Sequence, residues 1–162
     1  MEKEIEEKIK KLIKEKNYKE IIKICSEILN TNEDETAYFD RGASKYYLKL
    51  YKEAIEDFNK VIDLNPNHKD AHYNRGLCKS YFMQYKQYKK DKEASKYFKE
   101  AIEDFNKFIE LAKNDININF IVNTFINIMR ISDIKVIFTK LMQADNNELF
   151  ENDTIFKLLK NK

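Results

Sequence analysis

Apolar residues recur every three or four positions along most of the chain, which is the spacing of one buried face of an α-helix. Near the N-terminus, Ile5, Ile9 and Leu12 are separated mainly by charged residues, and a similar pattern resumes after Asn17. Glycine occurs only twice and proline once among 162 residues, so little in the sequence interrupts helices. The pattern therefore predicts an all-α chain built from amphipathic helices.

One seven-residue segment occurs twice in the chain. The sequence Ala-Ile-Glu-Asp-Phe-Asn-Lys spans residues 54–60 and returns at residues 101–107. The two glycines, Gly42 and Gly76, lie 34 residues apart, and each follows an arginine. A fixed period of this size indicates stacked units that share a continuous core. The chain is therefore predicted to be a repeat protein.

Within this period, large and small residues follow a defined spacing. The pattern runs through Tyr38, Arg41, Gly42, Lys45, Ala54, Phe58 and Pro66. It resembles the tetratricopeptide repeat, whose pattern is W-x-x-L-G-x-x-Y, then A-x-x-x-F, then P. Small residues at Gly42 and Ala54 would let two antiparallel helices approach closely, and Pro66 would end the second helix. The turn at residues 49–51 lacks the glycine that is usual in the family.

The resemblance implies a right-handed α-solenoid of about three tetratricopeptide-like helix pairs with C-terminal capping helices, all in one domain of residues 1–162. Its predicted parts are a degenerate repeat at 2–34, the clear repeat at 35–68, a repeat with an insertion at 69–113, and capping helices at 115–162.

The insertion in the third unit is predicted to be helical and 13 residues long. The duplicated segments are 47 residues apart whereas the glycines are 34 apart, and the extra residues contain neither glycine nor proline. The insertion should therefore lengthen both helices, with a turn near residues 90–92. Its basic tip would carry Lys86, Lys89, Lys90, Lys92 and Lys96.

The basic tip has two interpretations. Lysines mingled with tyrosines can bind single-stranded nucleic acid through phosphate contacts and base stacking. A solvated tip whose tyrosines close the helix pair is the preferred interpretation, because Asp91 and Glu93 dilute the charge. Thirty basic and 28 acidic side chains give a net charge of +2, which supplies no strong field for nucleic acid or membranes.

No enzymatic activity and no cofactor are expected. The chain contains no nucleotide-binding or hydrolase motif. His68 and His72 could present two nitrogens to a metal, but zinc sites need three or four ligands, so packing is the expected role of these histidines. The acid pairs at residues 56–57 and 103–104 are interpreted as a solvated helix face.

The cysteines and the termini suggest a cytoplasmic protein. Cys25 and Cys78 fall on apolar helix faces without CxxC spacing, so they are predicted to be small core residues. The N-terminal residues lack the apolar run of a signal peptide, and no segment reaches the length of a membrane span.

In tetratricopeptide arrays the first helix of each pair lines a concave groove, and the resemblance assigns that face on this chain. Tyrosine buries a large area with little loss of rotamer freedom, so the resulting aromatic groove predicts a scaffold or protein-interaction module that binds a peptide or helix. The alternative is that some of these tyrosines only pack against neighbouring helices. The predicted groove residues are Phe39, Asp40, Ala43, Tyr46, Tyr47, Tyr73, Asn74, Leu77 and Tyr81.

Two further partner hypotheses follow from the same comparison. Co-chaperone repeats bind a C-terminal carboxylate through basic and amide groups at groove positions, whereas matching positions here include Asp40 and Asp70. These acids would repel a carboxylate, so a chaperone tail is disfavoured. Self-association through the apolar C-terminal helices is the remaining alternative.

Overall fold

The computed structural model describes residues 3–85 and 92–112, and these residues form helices without any β-strand. The all-α solenoid prediction is confirmed, since each helix packs antiparallel against the next one. The predicted capping helices of residues 115–162 lie outside the described residues. In chain order the helices are α1 (Lys3–Lys14), α2 (Tyr18–Leu29), α3 (Glu35–Tyr47), α4 (Tyr51–Leu64), α5 (Lys69–Tyr85) and α6 (Lys92–Ala112).

Polar side chains and the single proline set several helix ends. The Asp34 carboxylate accepts a hydrogen bond from the Ala37 backbone N at 2.8 Å and so caps α3. Asn17 caps α2 in the same way, through the Glu20 backbone N. Helix α4 stops at Leu64 because the residue that follows it, next to Pro66, is extended. The prediction that the proline ends this helix is confirmed.

The α1–α2 and α3–α4 turns each place a lysine in the left-handed backbone region. Lys16 has φ of 55° and Lys49 has φ of 63°. In the second turn the Leu50 backbone N donates to the Lys45 carbonyl at 2.9 Å, and the first turn repeats this bond at 2.9 Å. This six-residue ring closes many helix C-termini, normally with glycine at the left-handed position. Both turns therefore form without glycine at the left-handed position.

The buried core continues from one helix pair to the next. The first cluster contains Ile9, Leu12, Ile21, Ile24, Cys25 and Ala37, and its last member belongs to α3. The second cluster contains Ala54, Ile55, Phe58, Val61, Ala71 and Cys78, and its last two members belong to α5. Both cysteines are fully buried, and burial raises the pKa of the Cys25 thiol to about 12 and raises that of Cys78 as well. Their predicted core role is confirmed.

The two glycines lie where the paired helices approach closely. A Cβ added at Gly42 would lie 3.1 Å from Phe58 Cε1, and one added at Gly76 would lie 3.0 Å from Phe105 Cζ. These separations are shorter than ordinary carbon–carbon contacts of about 3.5–4.0 Å. The predicted close approach is confirmed for Gly42, and it recurs at Gly76.

The helices of the third pair are longer than those of the second. Helices α5 and α6 have 17 and 21 residues, compared with 13 in α3 and 14 in α4. Phe82 and Tyr97 join the two long helices by an edge-to-face contact with ring centroids 5.2 Å apart. The predicted turn near residues 90–92 lies mostly outside the described residues.

Candidate peptide-binding face

A buried aspartate joins α3 to α4. Asp57 is only 3% exposed, and its carboxylate accepts hydrogen bonds from Arg41 Nη2 at 2.7 Å and Lys45 Nζ at 2.8 Å. Arg41 Nε donates to both carboxylate oxygens as well, at 3.2 and 3.1 Å. The prediction of a solvated acid pair is therefore wrong for Asp57, whereas its neighbour Glu56 is exposed. Arg41, Lys45 and Asp57 are called the first ionic cluster below.

The same arrangement recurs between α5 and α6. Asp104 is 2% exposed and accepts from Arg75 Nε at 3.0 Å and from Lys79 Nζ at 2.9 Å. His72 adds its Nδ1 at 3.5 Å from Asp104 Oδ1. The solvated interpretation is again wrong for the aspartate, while Glu103 is exposed. Arg75, Lys79 and Asp104 form the second ionic cluster.

Each cluster arginine also reaches back to the preceding helix pair. Arg41 Nη1 donates to Ser26 Oγ in α2 at 3.2 Å. Arg75 Nη1 donates to Asn59 Oδ1 in α4 at 2.7 Å. A planar guanidinium can serve several acceptors in fixed geometry, which suits it to this role. Each arginine thus links three successive helices.

A sequence signal for these clusters was present. Asp57 lies three residues after Ala54 and four before Val61, so it falls on the buried face of its helix. Arg41 and Lys45 occupy positions where the repeat pattern has leucine and tyrosine. Two cations replacing apolar residues, and one acid on the opposing apolar face, together indicate a buried ion pair.

Two of the predicted groove aromatics pack onto the second helix of their own pair. The Phe39 ring meets Phe58 edge-on at 5.8 Å and stacks on His68 at 4.8 Å. In α5, Tyr73 lies 6.0 Å from Phe105 and 5.0 Å from Phe108. These rings are only partly buried, so each has a packing role and an accessible portion.

The C-terminal end of α3 brings the other predicted aromatics together. The Tyr46 ring lies 5.9 Å from Tyr81 of α5 and 5.4 Å from Tyr47. Tyr81 also stacks on Tyr51 of α4 at 5.5 Å. Tyr47 is 59% exposed, which is the largest exposure among the large apolar side chains in the described part of the chain. The α3–α5 surface is therefore continuous and aromatic at this end.

The polar members of the predicted groove lie in the N-terminal half of each helix. Asp40 is half-buried, and its carboxylate has neither a cation nor a hydrogen-bond donor beside it among the described residues. Burial, with the nearby charges of Asp34 and Glu6, raises the pKa of Asp40 to about 6. Asn74 Nδ2 donates to the Asp70 carbonyl at 2.8 Å. This half of the face is acidic.

The two aliphatic groove positions differ in exposure. Ala43 is half-buried and packs against the second core cluster. Leu77 is 7% exposed and belongs to the core, so little of its side chain remains for a ligand. The candidate face therefore consists of the α3 side chains around Asp40, Ala43 and Tyr47, with α5 contributions beside them.

The family model of the tetratricopeptide repeat matches residues 36–68. These residues form one tetratricopeptide repeat. The matched segment contains α3 except for its first residue, and it contains α4, Pro66 and the whole first ionic cluster. No curated protein matches the chain. Tetratricopeptide repeats are generally non-catalytic and generally bind protein partners.

The two histidines of this repeat protein have structural contacts. His68 Nδ1 accepts from the Ala71 backbone N at 3.2 Å, at the start of α5, in addition to stacking on Phe39. His72 Nε2 lies 3.0 Å from the Pro66 carbonyl, so it holds the loop before its helix. In residues 3–85 and 92–112, no group of three or more potential metal ligands occurs.

Lys96 is the member of the basic tip whose side chain the structure describes. Lys96 Nζ lies 3.7 Å from Glu100 Oε1, and the lysine side chain is 74% exposed. Helix α6 begins at Lys92. The other predicted members, Lys86, Lys89 and Lys90, lie outside the described residues, so nucleic-acid binding at this tip stays a prediction. In the described part of the chain, no helix combines the length and apolarity that crossing a membrane requires.

Proposed function

We propose that the chain is a non-catalytic protein-interaction module that binds an extended or helical peptide on the face formed by α3 and α5. The observation that supports this most is the side-by-side approach of these two helices, with the Tyr46 and Tyr81 rings 5.9 Å apart. The ionic clusters add support, because they hold α3 against α4 and α5 against α6. The face formed by α3 and α5 is thereby preorganised.

The peptide that fits this face has apolar groups at one end and a basic group at the other. Tyr46, Tyr47 and Tyr81 offer ring surface and hydroxyl groups to apolar side chains and backbone. Asp40, with Asp34 and Glu6 near it, favours a lysine or arginine of the partner by charge complementarity. The same acids oppose a C-terminal carboxylate, which argues against the co-chaperone type of ligand.

The test is a peptide-display selection on the full chain, followed by affinity measurements on the selected peptides. We expect Asp40→Lys to weaken the binding of basic peptides by about tenfold or more, because it reverses the charge that attracts them. Glu56→Lys is the matched control, since it makes the same charge change on an exposed position of α4. Equal affinities for both variants and the natural chain would mean that the peptide does not bind on this face.

A further inference from the structure

Two interhelical turns lie at one edge of the stack. Because successive helices run antiparallel, the C-terminal ends of α1 and α3 point to the same side. Tyr18 at the start of α2 and Tyr47 at the end of α3 stack there, with centroids 4.6 Å apart and ring planes 11° apart. We call the exposed surface of residues 13–18 and 46–52 the turn edge. None of its residues belongs to the predicted basic tip.

Tyrosine rings form a continuous row along the turn edge. From Tyr47 the row passes to Tyr46 at 5.4 Å and then to Tyr51 at 5.9 Å. Beside the row, Ile13 and Leu50 are 46% and 41% exposed. Tyr47 presents the most exposed ring of the row, at 59%. Tyr47 therefore offers accessible ring surface at this edge, whereas Tyr46 and Tyr51 also pack against the second core cluster.

Lysines occupy strained backbone positions in both turns. Lys16 and Lys49 have φ of 55° and 63°, a conformation that glycine adopts freely and other L-residues adopt at a cost. Both side chains are exposed. Strained positions that keep a functional side chain are common at binding sites. The recurrence of a lysine at the same point of both turns suggests a role for its charge.

The charge of the turn edge is positive. Lys14 and Lys52 are exposed beside the two strained lysines. The acids of these turns are already close to other lysines, with Glu15 3.9 Å from Lys11 and Glu53 4.0 Å from Lys45. A partner of this surface should therefore be anionic.

We propose that the turn edge binds single-stranded nucleic acid, with a base stacked on the exposed Tyr47 ring and phosphates beside Lys16 and Lys49. Base stacking on aromatic side chains combined with backbone contacts to basic residues is the general mode of single-strand binding. An acidic peptide would satisfy the lysines, but its carboxylate side chains are not aromatic rings that stack on tyrosine. A single strand brings both, which is why it fits better.

Fluorescence anisotropy of the full chain with labelled 12-nucleotide oligouridylate and oligothymidylate tests the proposal. The first variant is Lys16→Asn with Lys49→Asn, because asparagine tolerates the left-handed conformation and only the charge is lost. We expect affinity to fall about fivefold or more, and the slope of log affinity against log salt to become shallower by about 1.4, at roughly 0.7 per phosphate contact.

Two more variants make the test specific. Lys23→Gln with Lys60→Gln removes two exposed lysines from helix surfaces away from the turns and should leave affinity within about twofold. Tyr47→Leu keeps an apolar side chain but removes one stacking ring, so it should weaken binding by about 5- to 100-fold without changing the salt slope.

Three results would overturn the proposal. The first is no measurable binding at low salt. The second is an equal loss of affinity in the Lys23 and Lys60 control. The third is equal competition by oligoglutamate, which would mean that the surface attracts any polyanion without using the bases. Because Tyr46 and Tyr47 belong to both surfaces, peptide binding is judged separately, by comparing Asp40→Lys with Glu56→Lys.

Discussion

At the scale of single residues, the buried aspartates carry the most energy. Moving a carboxylate out of water costs several kcal/mol unless cations and donors replace the water. Asp57 meets this condition because Arg41 and Lys45 both contact it directly. The two cations are themselves mostly buried, at 19% and 12% exposure, so they depend on the aspartate in turn. Removing one member leaves the others uncompensated.

Asp57→Ala should therefore destabilise the protein by about 3 kcal/mol, because it leaves two largely buried cations without their anion. Urea unfolding followed by circular dichroism measures the change. The neighbouring Glu56→Ala is the control, and as an exposed substitution it should stay within about 0.5 kcal/mol of the natural chain. Similar losses in both variants would mean that the ionic cluster contributes no more than a surface carboxylate does.

Asp40 should make stability depend on pH. Its pKa in the folded state is raised to about 6 from an ordinary value of 3.8, chiefly by burial and then by neighbouring acids. A raised pKa means that the neutral form is favoured by folding, so stability is highest below the ordinary pKa and falls as pH rises towards 6 and through it.

Asp40→Asn removes this titration. At pH 7 the variant should be more stable than the natural chain, while near pH 4 the two should unfold at similar urea concentrations. Urea unfolding at both pH values measures the difference, and the pH 4 comparison serves as the control. A difference of the same size at both pH values would contradict the burial of the carboxylate.

The residues that the sequence predicted well are those whose role depends on size. Cys25 suits an apolar helix face and Gly42 suits a close approach of two helices, and neither role depends on which residues lie opposite. The role of Asp57 depends on partners 12 and 16 residues away in sequence, so its own charge suggested a solvated position. Tyr73 shows the same limit, because its identity indicates contact area but not whether a ligand or Phe108 covers the ring.

At the scale of helices and turns, the positions of the helices could be predicted from local sequence patterns. The 3.6-residue pattern, the Asp34 cap and Pro66 indicate where helices run, begin and end. The turns were harder to predict because Lys16 and Lys49 are unusual residues for the left-handed position. Tertiary packing of the flanking helices imposes a conformation there that lysine does not prefer.

Lys49→Gly should therefore stabilise the protein by about 1 kcal/mol, since glycine adopts this conformation without the cost that a side chain incurs. Lys52→Gly, in the first turn of α4, is the matched control and should destabilise by up to about 1 kcal/mol because it adds backbone freedom to a helix. Thermal unfolding of both variants gives the comparison. A loss of stability in both would show that the left-handed lysine is not strained.

At the scale of the whole molecule, the 34-residue period predicted the stack, but not what joins its units. Apolar contacts such as those of Ala37 and Ala71 were expected from any repeat pattern. The additional links are the arginine bonds to Ser26 and Asn59, which connect each pair to the one before it. In a stack with nearest-neighbour coupling, such links determine whether an end pair opens alone or together with the rest.

Conservative variants of the two arginines should loosen opposite ends of the six described helices. Arg41→Lys keeps a charge near Asp57 but loses the planar fork that also reaches Ser26, so α1 and α2 should open more easily. Arg75→Lys breaks the corresponding link to Asn59, which should ease the opening of α5 and α6.

Native-state hydrogen exchange of backbone amides measures the opening of each helix pair, and each variant acts as the control for the other. In Arg41→Lys, amides of α1 and α2 should exchange roughly tenfold faster, as expected for a loss of about 1.4 kcal/mol in one interface, while those of α6 change less. Uniform acceleration along the chain in both variants would contradict separate links and would indicate that the described helices open as one cooperative unit.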